Sequence, residues 1–186
     1  VQQLFTTTSF QSMTCPKDID NITTLENPIS GLQQKAKALL GQELPKKMME
    51  TKDPYYPLDF SRAPKLDAIS ISYLVWRRDF YGTVMERLVR HHAEQGAQIK
   101  ILVSDVISLD KDKLMLNRLN DEFPNVKVRF YKYDVASNKD LADFFSEFHR
   151  TMHVKLLLTY SKDDASANTA FFGGRNIHDG FIFNQS

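Results

Sequence analysis

Short runs rich in β-branched and aromatic residues recur from residue 68 onward and predict strands. AISISYLV (68–75) alternates Ile69, Ile71 and Tyr73 with polar serines, which is the period of a half-buried strand. The run IKILVSD is typical of a buried strand, and VKVRFYKY is predicted to be another strand. Two more strands are predicted near the end of the chain, in HVKLLLTY (153–160) and TAFF (169–172).

Apolar residues at helical spacing predict helices between these strands. Asp79 is a predicted N-cap for a helix that Gly96 ends, and further helices are expected in KDKLMLNRL (111–119) and NKDLADFFSEF (138–148). Before the first strand, GLQQKAKALLGQEL (31–44) predicts a short amphipathic helix. The next segment, KKMMETKDPYYPLDFSRAP, holds three prolines and predicts a loop, with Met48 and Met49 as a candidate membrane-touching surface.

Alternation of strands and helices indicates an α/β fold, with a layered, mixed and largely parallel sheet flanked by helices. Two regions differ in character. Residues 1–66 are predicted to be an irregular N-terminal segment with a short helix, and residues 67–186 an α/β domain.

Composition narrows the class of protein only slightly. The 186 residues, 42% of them hydrophobic, suffice for one ordinary core. Lys and Arg number 24 against 23 Asp and Glu, so the net charge of +1 gives no electrostatic footprint for nucleic acid. No run approaches the roughly 18 apolar residues of a membrane span. We therefore expect a soluble chain, and a secreted or membrane-peripheral location stays open.

The candidate chemistry lies in HVKLLLTYSKDDASANTAFFGGRNIHDG (153–180). A strand beginning at His153 would direct His153 and Lys155 to one face. The Gly173-Gly174 turn after the returning strand would bring Asn176 near them. A histidine, a fixed cation and an amide donor suit phosphoryl transfer, with histidine as nucleophile or as acid for the leaving alcohol.

This stretch resembles one copy of the signature of the phospholipase D superfamily, in the Gly-Gly-x-Asn-Ile form of its bacterial lipid synthases. The order of elements from about residue 67 to residue 179 is also similar to a half-domain of that family. The resemblance implies that His153 is nucleophile or general acid and that Lys155 and Asn176 bind the phosphate. It also implies neither a metal nor another cofactor. Gly174 and Arg175 are further candidate substrate-binding residues, although the position of Arg175 varies in the family and often points aside.

Two features depart from the family pattern. Tyr160 stands where the family has an aspartate of mainly structural role, and the following hairpin is longer and contains Asp163 and Asp164. Active sites of the family resemble a pair of such motifs, whereas no other histidine here has a lysine two positions later. We therefore expect a second His-Lys half as partner, either a C-terminal fragment of the same protein or a homodimer mate.

Phospholipid is the expected substrate, because the Gly-Gly-x-Asn-Ile form resembles lipid-acting members and the charge is near neutral. The resemblance leaves open whether water or an alcohol accepts the phosphatidyl group. A nuclease acting on nucleic acid with the same residues is one alternative, and a catalytically inactive member used for binding or assembly is another. His91 and His92 lie at the end of a helix, where the helix dipole favours a cationic imidazole, and we expect no catalytic role for them. We expect His178 on the surface, with a place at the rim of the site as the alternative.

Overall fold

A computed structural model of the chain describes residues 22–25, 27–132 and 152–183. The helix predicted over residues 138–148 lies outside this range. The described strands are β1 (Ala68–Tyr73), β2 (Gln98–Ser104), β3 (Val126–Tyr131), β4 (Lys155–Tyr160) and β5 (Thr169–Phe172). The α-helices are α1 (Pro28–Leu40), α2 (Lys46–Thr51), α3 (Phe80–Glu94) and α4 (Asp110–Glu122), and single 3-10 turns cover Ala165–Ala167 and Asp179–Phe181.

The five strands form one mixed sheet in the order β3-β2-β1-β4-β5. Strand β1 is parallel to β2, and β2 is parallel to β3. Strand β4 is antiparallel to both β1 and β5. The predicted α/β architecture is therefore confirmed. The three parallel strands β3, β2 and β1 lie next to one another, and the antiparallel hairpin β4-β5 extends the sheet beyond β1.

One face of the sheet contributes to a continuous core with the helices. Ile69, Ile71 and Tyr73 of β1 are buried, as the period of two predicts, and their β2 partners are Ile99, Ile101 and Val103. Helix α1 packs against α3, and α4 packs against β3. The apolar residues of α1 belong to the same core cluster as the sheet. The helix of the N-terminal segment therefore shares one core with the strands and helices that follow it.

The ends of the helices follow from side-chain and glycine caps. Asp79 caps α3 as predicted, because its carboxylate accepts the backbone N–H of Gly82 at 3.0 Å. Asn27 caps α1 by accepting from Ser30 N at 2.8 Å. Gly41 ends α1 with φ +75°, and Gly96 follows α3 with φ +88°, a backbone region that glycine enters without strain.

The proline-rich segment was predicted to be a loop, and this is wrong for its first part. Residues Lys46–Thr51 form helix α2, since the first proline after Pro45 is Pro54 and leaves room for one and a half turns. Met48 is fully buried in the core. It is therefore no part of a membrane-touching surface. Within the described residues, no helix is long and apolar enough to cross a membrane.

The predicted cationic state of His92 is also wrong. His92 is 1% exposed, and its Nε2–H donates to the carbonyl of Leu39 on α1 at 2.7 Å. Burial lowers the pKa of His92 from 6.5 to about 4, so the imidazole is neutral in the folded protein. His91 stacks on Phe60 with ring centroids 4.2 Å apart, and burial lowers its pKa as well. Packing therefore outweighs the helix dipole at this helix end.

Candidate active site

Lys155 is the first residue of β4 and lies on the buried face of the sheet. Its Cα partner across the strand pair is Tyr73, the last residue of β1. The side chain is 5% exposed, and desolvation lowers the pKa of its ammonium. A lysine buried to this degree is unusual, since the charged form loses hydration and requires polar partners.

The polar partner of Lys155 is His153. Strand β4 starts two residues later than predicted, so His153 lies just before it and is exposed. The Lys155 Nζ is nevertheless 3.1 Å from both ring nitrogens of His153 and 3.3 Å from its carbonyl oxygen. The histidine and the lysine are therefore in contact, as predicted. An ammonium can donate to imidazole only through a ring nitrogen that carries a lone pair.

Asn176 is placed at the same end of the sheet by a backbone pairing that follows β5. Ile177 forms a parallel bridge with Trp76, and Arg77 N–H donates to the Ile177 carbonyl at 2.9 Å. The Asn176 side chain is buried, and its Oδ1 accepts the N–H of Val75 at 3.1 Å. Val75 is two residues beyond the strand partner of Lys155. The amide oxygen is thus engaged by the protein, which directs the NH₂ group elsewhere.

The segment that receives Asn176, residues 75–79, is held rigidly from two sides. The Trp76 indole N–H donates to the Gly82 carbonyl at 3.0 Å. The buried carboxylate of Asp112 on α4 accepts from Arg77 Nη1 at 2.8 Å and from Arg78 N at 2.7 Å. A Cβ on Gly82 would stand 1.6 Å from the Arg77 carbonyl oxygen, so only glycine fits there.

His178 and Asp179 connect the end of the motif to the start of α3. His178 Nδ1 lies 2.6 Å from Asp79 Oδ2, which also accepts the N–H of Asp179 at 2.8 Å. The Asp179 carboxylate accepts the N–H groups of Phe80 at 3.2 Å and Tyr81 at 2.8 Å. Burial is the largest cause that raises the pKa of Asp179. The histidine expected on the surface is therefore half-buried and bonded to the helix cap.

Lys35 on α1 is a member of this region that the sequence analysis missed. Its Nζ donates to the Tyr81 hydroxyl at 3.1 Å and lies 6.0 Å from the ring centroid of Tyr73. Burial, followed by the positive charge of Arg175, lowers the pKa of Lys35 to about 8. The signal was present in the sequence, because Lys35 follows Leu32 by three and precedes Leu39 by four positions. That spacing places a lysine on the apolar face of the helix.

The turn residues Gly174 and Arg175 are exposed. A Cβ added to Gly173 or Gly174 would meet no atom of the described residues within 4 Å, and neither glycine has a left-handed φ. The prediction that these glycines are needed for a tight turn therefore gains no support from their backbone conformation. Neither backbone strain nor internal packing requires them.

Tyr160 and the two hairpin aspartates lie at the other end of β4. Tyr160 is five residues from Lys155, roughly 17 Å along a strand, and is 52% exposed. Asp163 forms an exposed ion pair with Lys65 at 3.2 Å. Asp164 accepts from Ser166 N at 2.9 Å and caps a 3-10 turn. None of the three contacts the His153-Lys155 pair.

No protein-family model matches the chain, and no curated protein matches it. The described residues contain no group of three or more His, Cys, Asp or Glu side chains placed to hold a metal ion. The arrangement of His153, Lys155 and Asn176 therefore has to be interpreted from its own geometry.

Proposed function

We propose that the chain is part of a phosphodiesterase that releases or exchanges phospholipid head groups through a covalent phosphohistidine. The observation that carries the proposal is the contact between Lys155 Nζ and both ring nitrogens of His153. It joins an accessible nucleophile to a buried cation at the edge where Asn176 is also fixed. A lysine with only a structural role usually keeps its ammonium in water, so the burial of Lys155 supports a functional role.

The exposed imidazole of His153, whose ring nitrogens contact the buried Lys155 ammonium, supports His153 as the nucleophile. In the first step the ring nitrogen attacks phosphorus, a P–N bond forms, and the P–O bond to the head-group alcohol breaks. The leaving oxygen takes a proton from an acid, for which the second His-Lys half is the proposed source. In the second step water or another alcohol attacks phosphorus, the P–N bond breaks, and the attacking oxygen loses its proton to that same residue.

Lys155 and Asn176 are the proposed ligands of the non-bridging phosphate oxygens. The ammonium would move from the imidazole to the phosphate, where a charge-assisted hydrogen bond is stronger. The Asn176 amide is oriented by Val75, so its NH₂ group is available as a donor. Gly174 and Arg175 are the proposed substrate contacts in the turn. Among the described residues no atom lies within 4 Å of a Cβ placed on Gly174, so the turn has open space beside it for a ligand.

The test is head-group release from phospholipid vesicles by the complete protein, so that a second motif is present. We expect His153→Ala to lower kcat by at least a thousandfold, since it removes the nucleophile, and Lys155→Met to lower kcat/KM by about a hundredfold or more. His91→Ala and Lys37→Met are matched controls on other parts of the surface and should retain activity. Unchanged head-group release by His153→Ala, or loss of wild-type release on adding a chelator, would refute the proposal. Cleavage of DNA in preference to phospholipid would replace the substrate assignment.

A further inference from the structure

Lys35 and Lys155 reach the same tyrosine from two different elements. Tyr73 is the strand partner of Lys155, and its ring centroid is 6.0 Å from Lys35 Nζ. Tyr81 completes the surroundings of Lys35, with its hydroxyl at 3.1 Å and its ring centroid at 5.8 Å. The amine of Lys35 is thus held by aromatic groups, beside the site and not in open solvent.

The positive charges of this region have no negative partner among the residues that the structure describes. Neither Lys35 nor Lys155 has a carboxylate oxygen within 4.0 Å in that part of the chain, although six other Lys and Arg side chains do: Lys46, Lys65, Arg77, Arg90, Lys113 and Lys162. Arg175 adds a third positive charge close enough to act on Lys35. Burying uncompensated charge is costly, and an anionic ligand relieves the cost.

We propose that Lys35 is a second anion-binding residue of this site, and that its ligand is a negatively charged group of the substrate next to the phosphate bound by Lys155. The nature of that substrate rests on the proposed function, whereas the capacity to bind an anion does not. A simple phosphodiester carries one negative charge, which Lys155 alone can balance. Lys35 and Arg175 therefore select a phosphodiester with an anionic head group over a zwitterionic one.

The protonation of Lys35 gives the inference a measurable signature. With a pKa of about 8 in the free protein, Lys35 is mostly charged at pH 7 and loses its proton above pH 8. A bound anion favours the charged form of Lys35. The affinity for anions is therefore highest below pH 8 and decreases as the pH rises beyond it. The groups that face Lys35 are the two tyrosines, which burial keeps in the neutral phenol form, and Arg175.

The first experiment is titration calorimetry with sulfate, whose charge is constant across this pH range. At pH 7 we expect Lys35→Met to weaken sulfate binding by about tenfold or more, the effect of losing one charge-assisted hydrogen bond. Lys37→Met is the matched control, since Lys37 lies on the same helix but is exposed, and it should bind sulfate like the wild type. Equal affinity of wild type and Lys35→Met, or no sulfate binding by the wild type, would overturn the inference.

The second variant separates loss of charge from loss of fold. Lys35→Arg keeps the charge and does not titrate near pH 8, so sulfate affinity should decrease less between pH 7 and 9.5 than in the wild type. Identical pH profiles for the two proteins would contradict the role of Lys35. Head-group release by His153→Ala remains the separate test of the proposed function: an active His153→Ala variant with intact sulfate binding would remove the reaction and keep the anion site.

Discussion

The buried imidazole of His92 predicts a specific loss of stability in mild acid. The unfolded chain takes up a proton on this histidine near pH 6.5, whereas the folded protein keeps it neutral down to about pH 4. Because the unfolded state binds more protons between these values, the free energy of unfolding decreases as the pH decreases through this window. A difference of about 2.5 between the two pKa values corresponds to roughly 3 kcal/mol in full, and to about 2 kcal/mol at pH 5.

The measurement is urea unfolding at pH 7.5, 6 and 5, followed by fluorescence of the single tryptophan, the buried Trp76. His92→Gln is the matched variant, because glutamine keeps an N–H donor for the Leu39 carbonyl and does not titrate. Glu86 and Asp179, whose pKa values are raised mainly by burial, titrate in both proteins and cancel in the difference. We expect the wild type to lose about 2 kcal/mol more than the variant from pH 7.5 to pH 5. Parallel pH profiles would refute the neutral, buried state of His92.

Three further predictions concern the support of the site and its departure from the family pattern. Asp112→Asn leaves Arg77 without its carboxylate, so urea unfolding should show a free energy of unfolding about 2–3 kcal/mol lower, and the activity assay a loss of head-group release. Unchanged stability together with unchanged activity would contradict the anchoring role of Asp112. Gly82→Ala should destabilise the fold by about 3 kcal/mol, because the new Cβ clashes with the Arg77 carbonyl. Gly31→Ala, in open space on α1, should stabilise the fold by up to about 1 kcal/mol. Similar melting temperatures for the two variants would disprove the steric argument. Tyr160→Phe should leave kcat and KM for head-group release unchanged, and a tenfold decrease would connect Tyr160 with the site.

The order of strands and helices was predictable because periodicity reports burial directly. The alternation in β1 and the Asp79 cap are local features, and the structure confirms both. The short helix α2 was missed because prolines further along dominated the prediction for the whole segment. The charged neighbours of Met48 in the sequence suggest a surface position. The residue is nevertheless buried in the core, because helix α2 directs its side chain inward.

The site shows the same division between local and distant information. The strand period predicts contact between His153 and Lys155, and the contact is present although His153 lies just before β4 and not in it. Lys35 is 120 residues before Lys155 in the chain, and its amine lies near Tyr73 because α1 packs on α3 and shares one core with the sheet. The neutral state of His92 likewise depends on α1, which supplies the carbonyl of Leu39. Sequence patterns do not specify such partners.

The most direct test of the central claim is detection of the covalent intermediate. The complete protein is mixed with excess phospholipid, quenched in denaturant at neutral pH within milliseconds and digested, and the peptide containing His153 is analysed by mass spectrometry. The account predicts a phosphatidyl adduct on His153 that is labile in acid and absent from Lys155→Met at the same time point. Turnover of phospholipid with no adduct on His153, or with the adduct on another residue, would contradict it.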